Sequence, residues 1–357
     1  MSKYKICYTG GGSAGHIFPI FEIDKALKGQ NFKYKRFWIG SNSDKEQSWV
    51  KENKIFYIKI RNGKLRRYFS WQNFIDPFNV LIGFFQSLYI LNKLKPNLVF
   101  AKGGFVTVAP VWAAYFLKIE TIIHESDTTM GLANRLCAPV ATKIALPSNH
   151  ALENINKKYL KKCVVTGIPN RMENALIDKT SVYKKYNLDK NRPIITILGG
   201  SLGSSEINTL VEDNLESLTE VAQIVHQGEK DVDKLNYISR RFFSDDLPSL
   251  LKCSALVISR AGATSINEFS YLKVPMFLIP LSTKSSRGDQ VLNSQYLEQH
   301  NASYVLKNKK SFIKELKFIL NDDILTTKLA ENSYNLYVEG SDKKIASLIV
   351  KMVRREK

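Results

Sequence analysis

Twice in this chain an apolar run stops at a cluster of glycines and a helix-forming stretch follows at once. Near the start it reads "KYKICYTGGGSAGHIFPIFEIDKAL", and in the second half "RPIITILGGSLGSSEINTLV". A buried strand that turns through glycines straight into a helix is the opening unit of a doubly wound α/β domain. The first half continues with the strand-like runs "KRFWIGS", "KIFYIKI", "PNLVFAKGG", "ETIIHES" and "TKIALPS", and a helix is expected from about Ile17 to Lys28. The second half continues with "VAQIVHQG", "CSALVISRAGATSINEFSYL" and "VPMFLIPLS". Such alternation predicts parallel sheets with helices on both faces. The expected fold class is α/β, with two Rossmann-like doubly wound domains, and 357 residues suit two domains. The stretch "VVTGIPNRMEN", with Gly167, Pro169 and Asn170, is the expected crossing point. The domains then span 1–165 and 166–334. A last helix, roughly Ser333 to Arg354, is expected to pack back so that 335–357 joins the first domain.

The formal net charge is +19, which fits nucleic acid, an anionic membrane surface, a strongly anionic substrate, or a generally lysine-rich surface. No RNP or zinc-finger pattern supports nucleic acid. The opening residues predict no signal peptide. The most apolar run, Phe78 to Leu91, contains Asn and Gln and is too short to span a bilayer. Cys7, Cys137, Cys163 and Cys253 are scattered without a C-x-x-C pair, which predicts neither a zinc site nor a disulfide framework. They suit a reducing, cytosolic setting.

Gly10, Gly12 and Gly15 satisfy the G-x-G-x-x-G spacing of a dinucleotide loop. That reading also needs an acidic residue at the end of the next strand. The strand ends "FWIGSN", and Asp44 comes too late. What stays is a loop whose backbone N–H groups can approach an anion at a helix N-terminus. His16 stands at the start of that helix, either as a structural loop residue or as an imidazole held neutral and basic by the helix's positive end. In the second half, Arg260, Ala261 and Gly262 follow a buried strand, and a helix opens with Ala263, Thr264 and Ser265. Amides and hydroxyls there suit a diphosphate. Glu268, one turn on, suits the two hydroxyls of a ribose, although Ser265 with Glu268 is also a capping-box spacing. Asp289, Gln290 and Asn293 follow the next strand with groups that read sugar hydroxyls. Together these describe a nucleotide-sugar site.

This segment resembles the donor motif of the family B glycosyltransferase fold. With "TGGGSAGHIFP", "AKGGFVTVAP", "HESDTTMGLANRLCAPVATKIA", "TGIPNR" and "GGSLGSSEIN", the chain resembles the N-acetylglucosaminyltransferases of peptidoglycan precursor synthesis over nearly its whole length. The resemblance implies two domains facing a cleft and an inverting hexosyltransferase. The donor would be UDP-N-acetylglucosamine and the acceptor undecaprenyl-diphosphoryl-N-acetylmuramoyl-pentapeptide, attacked through its C4 hydroxyl. It implies no cofactor, and with no D-x-D motif no metal; "SDD" and "NDD" read as helix caps. Ser13, Gly15, His16, Gly103 and Gly104 inherit the acceptor side, Ser13 and Gly15 the donor side as well. Asn134, Arg171, Ser201, Thr264, Ser265, Glu268, Gln290 and Asn293 inherit donor contacts, and Phe243 and Ser244 would border the uracil. His16 is the first candidate base, with Asp127 and Glu125 behind it, and Arg171 would steady the leaving diphosphate. The chain departs from the pattern at Asp127, where the family often has asparagine, at Ser13 for threonine and at Phe105 for tyrosine.

A lipid-linked acceptor implies a peripheral enzyme on the cytoplasmic face of the cell membrane. Lys64, Arg66 and Arg67 precede Trp71, Phe74 and Phe78, and bases beside aromatics suit an anionic interface. The other readings are a relative with a diacylglycerol acceptor and a UDP-sugar 2-epimerase.

Overall fold

The fold comes from a computed structural model that describes residues 4–30, 32–63, 72–200, 203–243, 245–281 and 288–355, with backbone alone for 72–75. The chain divides into two compact units, Met1–Asn170 with Val338–Lys357, and Arg171–Tyr337.

The first unit holds seven strands: β1 (Tyr4–Thr9), β2 (Tyr34–Gly40), β3 (Phe56–Lys59), β4 (Leu98–Ala101), β5 (Glu120–His124), β6 (Lys143–Leu146) and β7 (Cys163–Val165). They form one parallel sheet in the order β3-β2-β1-β4-β5-β6-β7. Its helices are α1 (Phe18–Gly29), α2 (Asp44–Glu52), α3 (Gln72–Leu94), α4 (Val108–Phe116), α5 (Leu132–Cys137) and α6 (Asn149–Glu153). The strands read as continuous apolar runs because both faces are covered. Tyr8, Trp38, Phe100 and Ile122 face one layer, and Cys7, Ile39 and Val99 the other.

The second unit carries α7 (Lys179–Lys185), β8 (Ile194–Leu198), α8 (Ser205–Asp213), α9 (Leu215–Val221), β9 (Gln223–Gln227), β10 (Val232–Lys234), β11 (Tyr237–Arg240) and α10 (Leu247–Cys253). It continues with β12 (Leu256–Ser259), α11 (Ala263–Leu272), β13 (Met276–Leu278), α12 (Asp289–Gln299), β14 (Tyr304–Val305), α13 (Phe312–Leu320) and α14 (Asp323–Asn335). The sheet order is β10-β11-β9-β8-β12-β13-β14. All pairs are parallel except β10 with β11, a hairpin that the sequence reading did not resolve.

The last helix, α15 (Ser341–Arg354), belongs to the first unit. Its Ile345, Ala346, Ile349 and Val353 share a core with Ile20, Ile23 and Leu27 of α1. The single helix expected from Ser333 to Arg354 is two helices. α14 ends at Asn335, and Gly340, at φ +65°, opens α15 from a left-handed conformation that glycine adopts without strain.

In each sheet the strand order reverses beside its first strand, between β1 and β4 and between β8 and β12. The carboxyl ends at such a switch point are where open α/β sheets bind ligands. The glycine loops of the sequence fall on these ends.

Candidate active site

At the first switch point the loops after β1 and β4 pack directly on each other. Gly104 has φ +86°, and a Cβ there would lie 2.2 Å from the Gly11 carbonyl oxygen. A Cβ on Gly12, at φ +88°, would meet the Phe105 ring at 3.0 Å. Only glycines let the backbones approach this closely. Ser13 opens a 3-10 turn, Ala14–His16, and α1 starts two residues later, so His16 stands ahead of the helix and not on its first turn. Its Nδ1 lies 2.9 Å from the Gly11 carbonyl oxygen and 3.2 Å from Ser13 Oγ. A carbonyl oxygen only accepts, so Nδ1 carries the proton and the Nε2 lone pair is basic. The imidazole edge also faces Gly103, whose Cβ position is 3.7 Å from His16 Cδ2 and 3.5 Å from Asn134 Nδ2. No dinucleotide-type acid ends β2. Buried Glu46, from α2, instead accepts from Ser41 N, Ser41 Oγ and Tyr57 OH at 2.7–3.0 Å.

The loop after β5 is anchored by Glu125. One carboxylate oxygen accepts from the N–H groups of Ser126 and Asp127, the other from Gly131 N and Asn134 Nδ2, all at 2.8–3.1 Å. With both oxygens engaged and the side chain buried, Glu125 holds a loop and is not placed to take a substrate proton. Asn134 is buried too. Its Nδ2 is committed to His124 O and Glu125, and its Oδ1 has no partner among the described residues. Asp127 sits half-buried on the same loop. Lys102, directly after β4, is fully buried with its ammonium on the Ser126 hydroxyl.

At the second switch point the N-cap residue of α11 is Gly262, which has no side chain to cap it, and among the described residues no side chain bonds the first N–H groups of the helix. The amides of Ala263, Thr264 and Ser265 precede the first intrahelical donor, Ile266 N, and neither they nor the half-buried hydroxyls of Thr264 and Ser265 bond anything among the described residues. The Ser265–Glu268 capping box is therefore not made, since Ser265 lies inside the helix. Arg260 packs its guanidinium on Gly200 of the loop after β8, where a Cβ would meet Nη2 at 2.7 Å. Arg260 makes no hydrogen bond or ion pair among the described residues, and its Nε is buried without a partner. Burial pushes its pKa down while Glu206 opposes. A half-buried cation beside an uncapped helix N-terminus is a site for an anion.

Glu268, one turn into α11, accepts from Arg171 Nε at 2.9 Å. Its side chain is 13% exposed, and burial raises its pKa above the ordinary value while Arg171 draws it back. Gln290 Oε1 accepts from Leu281 N at 3.0 Å, and buried Asn293 donates to Ala261 O at 3.1 Å. Asn293 thus braces the loop before α11. Phe243 is buried in the core against Tyr186, so its ring cannot stack on a base and only its backbone is placed for a ligand. Ser201 and Ser244 lie outside the described residues. Asp246 does not cap α10 by its side chain, which accepts from Lys185 and Tyr186, whereas Asp322 caps α14 through Leu325 N.

Lys64, Arg66, Arg67, Trp71 and the side chain of Phe74 also lie outside the described residues. Phe78 is 68% exposed. It heads a stripe on α3 with Leu81, Ile82, Phe85 and Tyr89, beside exposed Tyr115 and Phe116 of α4. Among the described residues no helix is long and apolar enough to cross a membrane. Sequence reasoning missed Arg260 and Lys102 as site residues. The available signal was position, since each is the first residue after a strand at a switch point.

Two doubly wound units in one chain, each with glycine loops at its switch point, define the two-Rossmann architecture of the family B glycosyltransferases. The chain belongs to glycosyltransferase family 28: residues 6–146 match the family's N-terminal domain and 194–349 its C-terminal domain. It is 44% identical over 318 residues to a UDP-N-acetylglucosamine–N-acetylmuramyl-(pentapeptide) pyrophosphoryl-undecaprenol N-acetylglucosamine transferase of Clostridium botulinum (strain Alaska E43 / Type E3), covering 87% of each chain. A transferase of the same name from Clostridium tetani is 40% identical over 341 residues, 93% of this chain and 94% of that one. Among solved structures, the MurG of Acinetobacter baumannii shares the fold with a TM-score of 0.74 at 21% identity, over 98% of this chain and 99% of that one. A UDP-GlcNAc 2-epimerase of Neisseria meningitidis bound to UDP-GlcNAc matches at 0.67 and 16%, over 97% and 100%.

Proposed function

We propose that this chain moves N-acetylglucosamine from UDP-N-acetylglucosamine to the N-acetylmuramyl-(pentapeptide) pyrophosphoryl-undecaprenol acceptor. The observation that carries this reading is Arg260, without a hydrogen bond or ion pair among the described residues, beside the N-terminus of α11, with Glu268 one turn on. That set takes a nucleoside diphosphate, and the relatives named for this reaction span most of the chain. The helix amides, Thr264, Ser265 and Arg260 bind the donor diphosphate, Glu268 the ribose, and Gln290 the sugar. Arg171 orients Glu268 through its Nε. The paired loops of Gly10–Gly12 and Gly103–Gly104, with Ser13, Gly15 and His16, take the acceptor.

The acceptor's C4 oxygen attacks the anomeric carbon as the bond to UDP breaks, giving inversion. The proton passes to His16 Nε2, and the bonding pair leaves with the diphosphate. Negative charge that develops there meets Arg260 and the amides of α11, which is where fixed donors lower a barrier. The acceptor's lipid brings the chain to the cytoplasmic membrane surface as a peripheral protein, and the α3–α4 stripe is the docking face. No nucleic acid is involved.

Purified protein, lipid acceptor and labelled UDP-N-acetylglucosamine test the reaction. Label should appear in the lipid product. Formation of UDP-N-acetylmannosamine, or of N-acetylmannosamine and UDP by hydrolysis, with no labelled lipid would replace the reading with an epimerase. Sedimentation with vesicles tests docking: binding should rise with anionic lipid, fall with salt, and weaken in Phe85→Ser/Phe116→Ser. Undiminished binding by that folded variant would remove the stripe.

A further inference from the structure

Glu46 is a buried acid that the reaction does not use. It stands in the first turn of α2, and its N–H donates to the N-cap hydroxyl of Ser43 at 3.4 Å. In the S-x-x-E pattern the glutamate side chain ordinarily returns to the N-cap N–H. Here Ser43 N donates to Ser41 Oγ instead, and the carboxylate turns inward, with Glu46 2% exposed. Its two oxygens face two glycines. A Cβ on Gly40, the last residue of β2, would run into Oε1 and the Tyr57 hydroxyl. A Cβ on Gly11, in the loop after β1, would lie 2.5 Å from Oε2, with Val106 Cγ1 a lesser obstacle at 3.1 Å. Gly11 is not among the glycines at positive φ, so its backbone would accept a side chain and the carboxylate is the main thing that excludes one. The carboxylate is itself fixed: Oε1 accepts from Ser41 N and Tyr57 OH, and Oε2 from Ser41 Oγ. Gly11 is also the residue whose carbonyl oxygen receives His16 Nδ1 at 2.9 Å and has Gly104 seated on it.

We propose that Glu46 is a positioning residue for His16: its carboxylate pins the Gly11 peptide, so that the Gly11 carbonyl holds the Nδ1 proton and Nε2 keeps its lone pair for the acceptor. This rests on the reading of His16 as the base, and the test separates the two ideas. It is an exchange of size across the Glu46–Gly11 contact. Gly11→Ala drives a methyl group into Oε2. Glu46→Asp keeps the charge and draws the carboxylate back by one methylene. Each should lower kcat about 10-fold with donor KM unchanged, since a displaced catalytic group is costly. The double variant gives the methyl group the space that the methylene left. Its kcat should recover to within about 3-fold of the wild type, a non-additivity expected only of residues in contact. A double variant no faster than either single one overturns the proposal, and so does a loss carried by donor KM in place of kcat. A readout independent of turnover is 15N NMR of the His16 ring in the full chain, at a pH where the imidazole is neutral. The wild type should show the proton on Nδ1, and Glu46→Asp should move the ring nitrogen shifts toward the tautomer mixture of a free imidazole. Unmoved shifts overturn the proposal even if Gly11→Ala does not fold. Shifts that move in Glu46→Asp and return in the double variant, with kcat unchanged throughout, keep the contact and overturn His16 as the base.

Discussion

The two switch points share a topology and differ in what they have left to offer. At the first, the chain's own groups consume one another. Gly104 seats on Gly11, His16 Nδ1 bonds the same residue, and Glu125 takes up four donors. At the second, the first α11 amides, two hydroxyls and the Arg260 guanidinium have no hydrogen-bond partner among the described residues. A site built from satisfied backbone and one oriented imidazole suits positioning and proton transfer. A site with unspent cationic donors suits a group whose charge grows during the reaction. One topology thus presents two different sets of groups, set apart by which polar groups lack partners among the described residues.

The comparison breaks first at Arg260. Arg260→Ala should lower kcat about 10²- to 10³-fold, the range for losing one fixed donor to a developing charge. A kcat within 3-fold of wild type in steady-state assays would return the diphosphate to Arg171. Next, His16→Ala should cost roughly 10²-fold in kcat with donor KM little changed. His16→Asn keeps a donor toward Gly11 but no base, so near-normal turnover in that variant makes His16 a positioning residue.

Glu268→Ala should raise donor KM by roughly 10- to 100-fold, the equivalent of about 1.5–3 kcal/mol for charge-assisted hydrogen bonds. The pH dependence sharpens this. Ribose hydroxyls need the carboxylate form, and burial raises the Glu268 pKa, so donor affinity should weaken as pH falls through a midpoint above the ordinary carboxylate value. Arg171→Ala removes the opposing charge and should move that limb to higher pH. Glu268→Gln should abolish it. Calorimetric donor titrations across pH decide all three.

The smallest effects concern the backbone. Gly104→Ala forces a side chain into a glycine-only conformation with Gly11 O in its way, and should cost about 1–3 kcal/mol in thermal or urea unfolding. Gly203→Ala, at φ +75° with nothing within 4 Å, should cost about 1 kcal/mol. Equal losses would mean that the loop packing of the first unit contributes nothing.

Strand positions and the two-domain plan were legible because buried parallel strands are unbroken apolar runs ended by glycine. The β10–β11 hairpin was not, since "VDKLNYISR" lacks a clear period and turns at Asn236, a residue at φ +58°. The break before α15 was missed because Gly340 sits between two amphipathic stretches that read as one. In the sites, residue types were legible and commitments were not. Nothing in the sequence shows that Glu125 is spent on its own loop, that Asn293 faces Ala261, or that Phe243 turns into the core. Arg260 and Lys102 were overlooked because, in a chain of charge +19, a basic residue type carries no signal by itself, and only their positions directly after β12 and β4 set them apart.

The placement of α15 has a consequence for synthesis. The first unit's core contains Ile345, Ile349 and Val353, which leave the ribosome only after all of Arg171–Tyr337 has been made. At about 5–20 residues per second, that is a wait of roughly ten to thirty seconds. Through it, the face of α1 formed by Ile20, Ile23 and Leu27 has no α15 to cover it. Three large aliphatic side chains contribute about 1.5–3 kcal/mol each when buried, a sum comparable to the whole stability of an ordinary domain. The core of the first unit is therefore completed after the second unit has been synthesised, although most of it is translated before that unit.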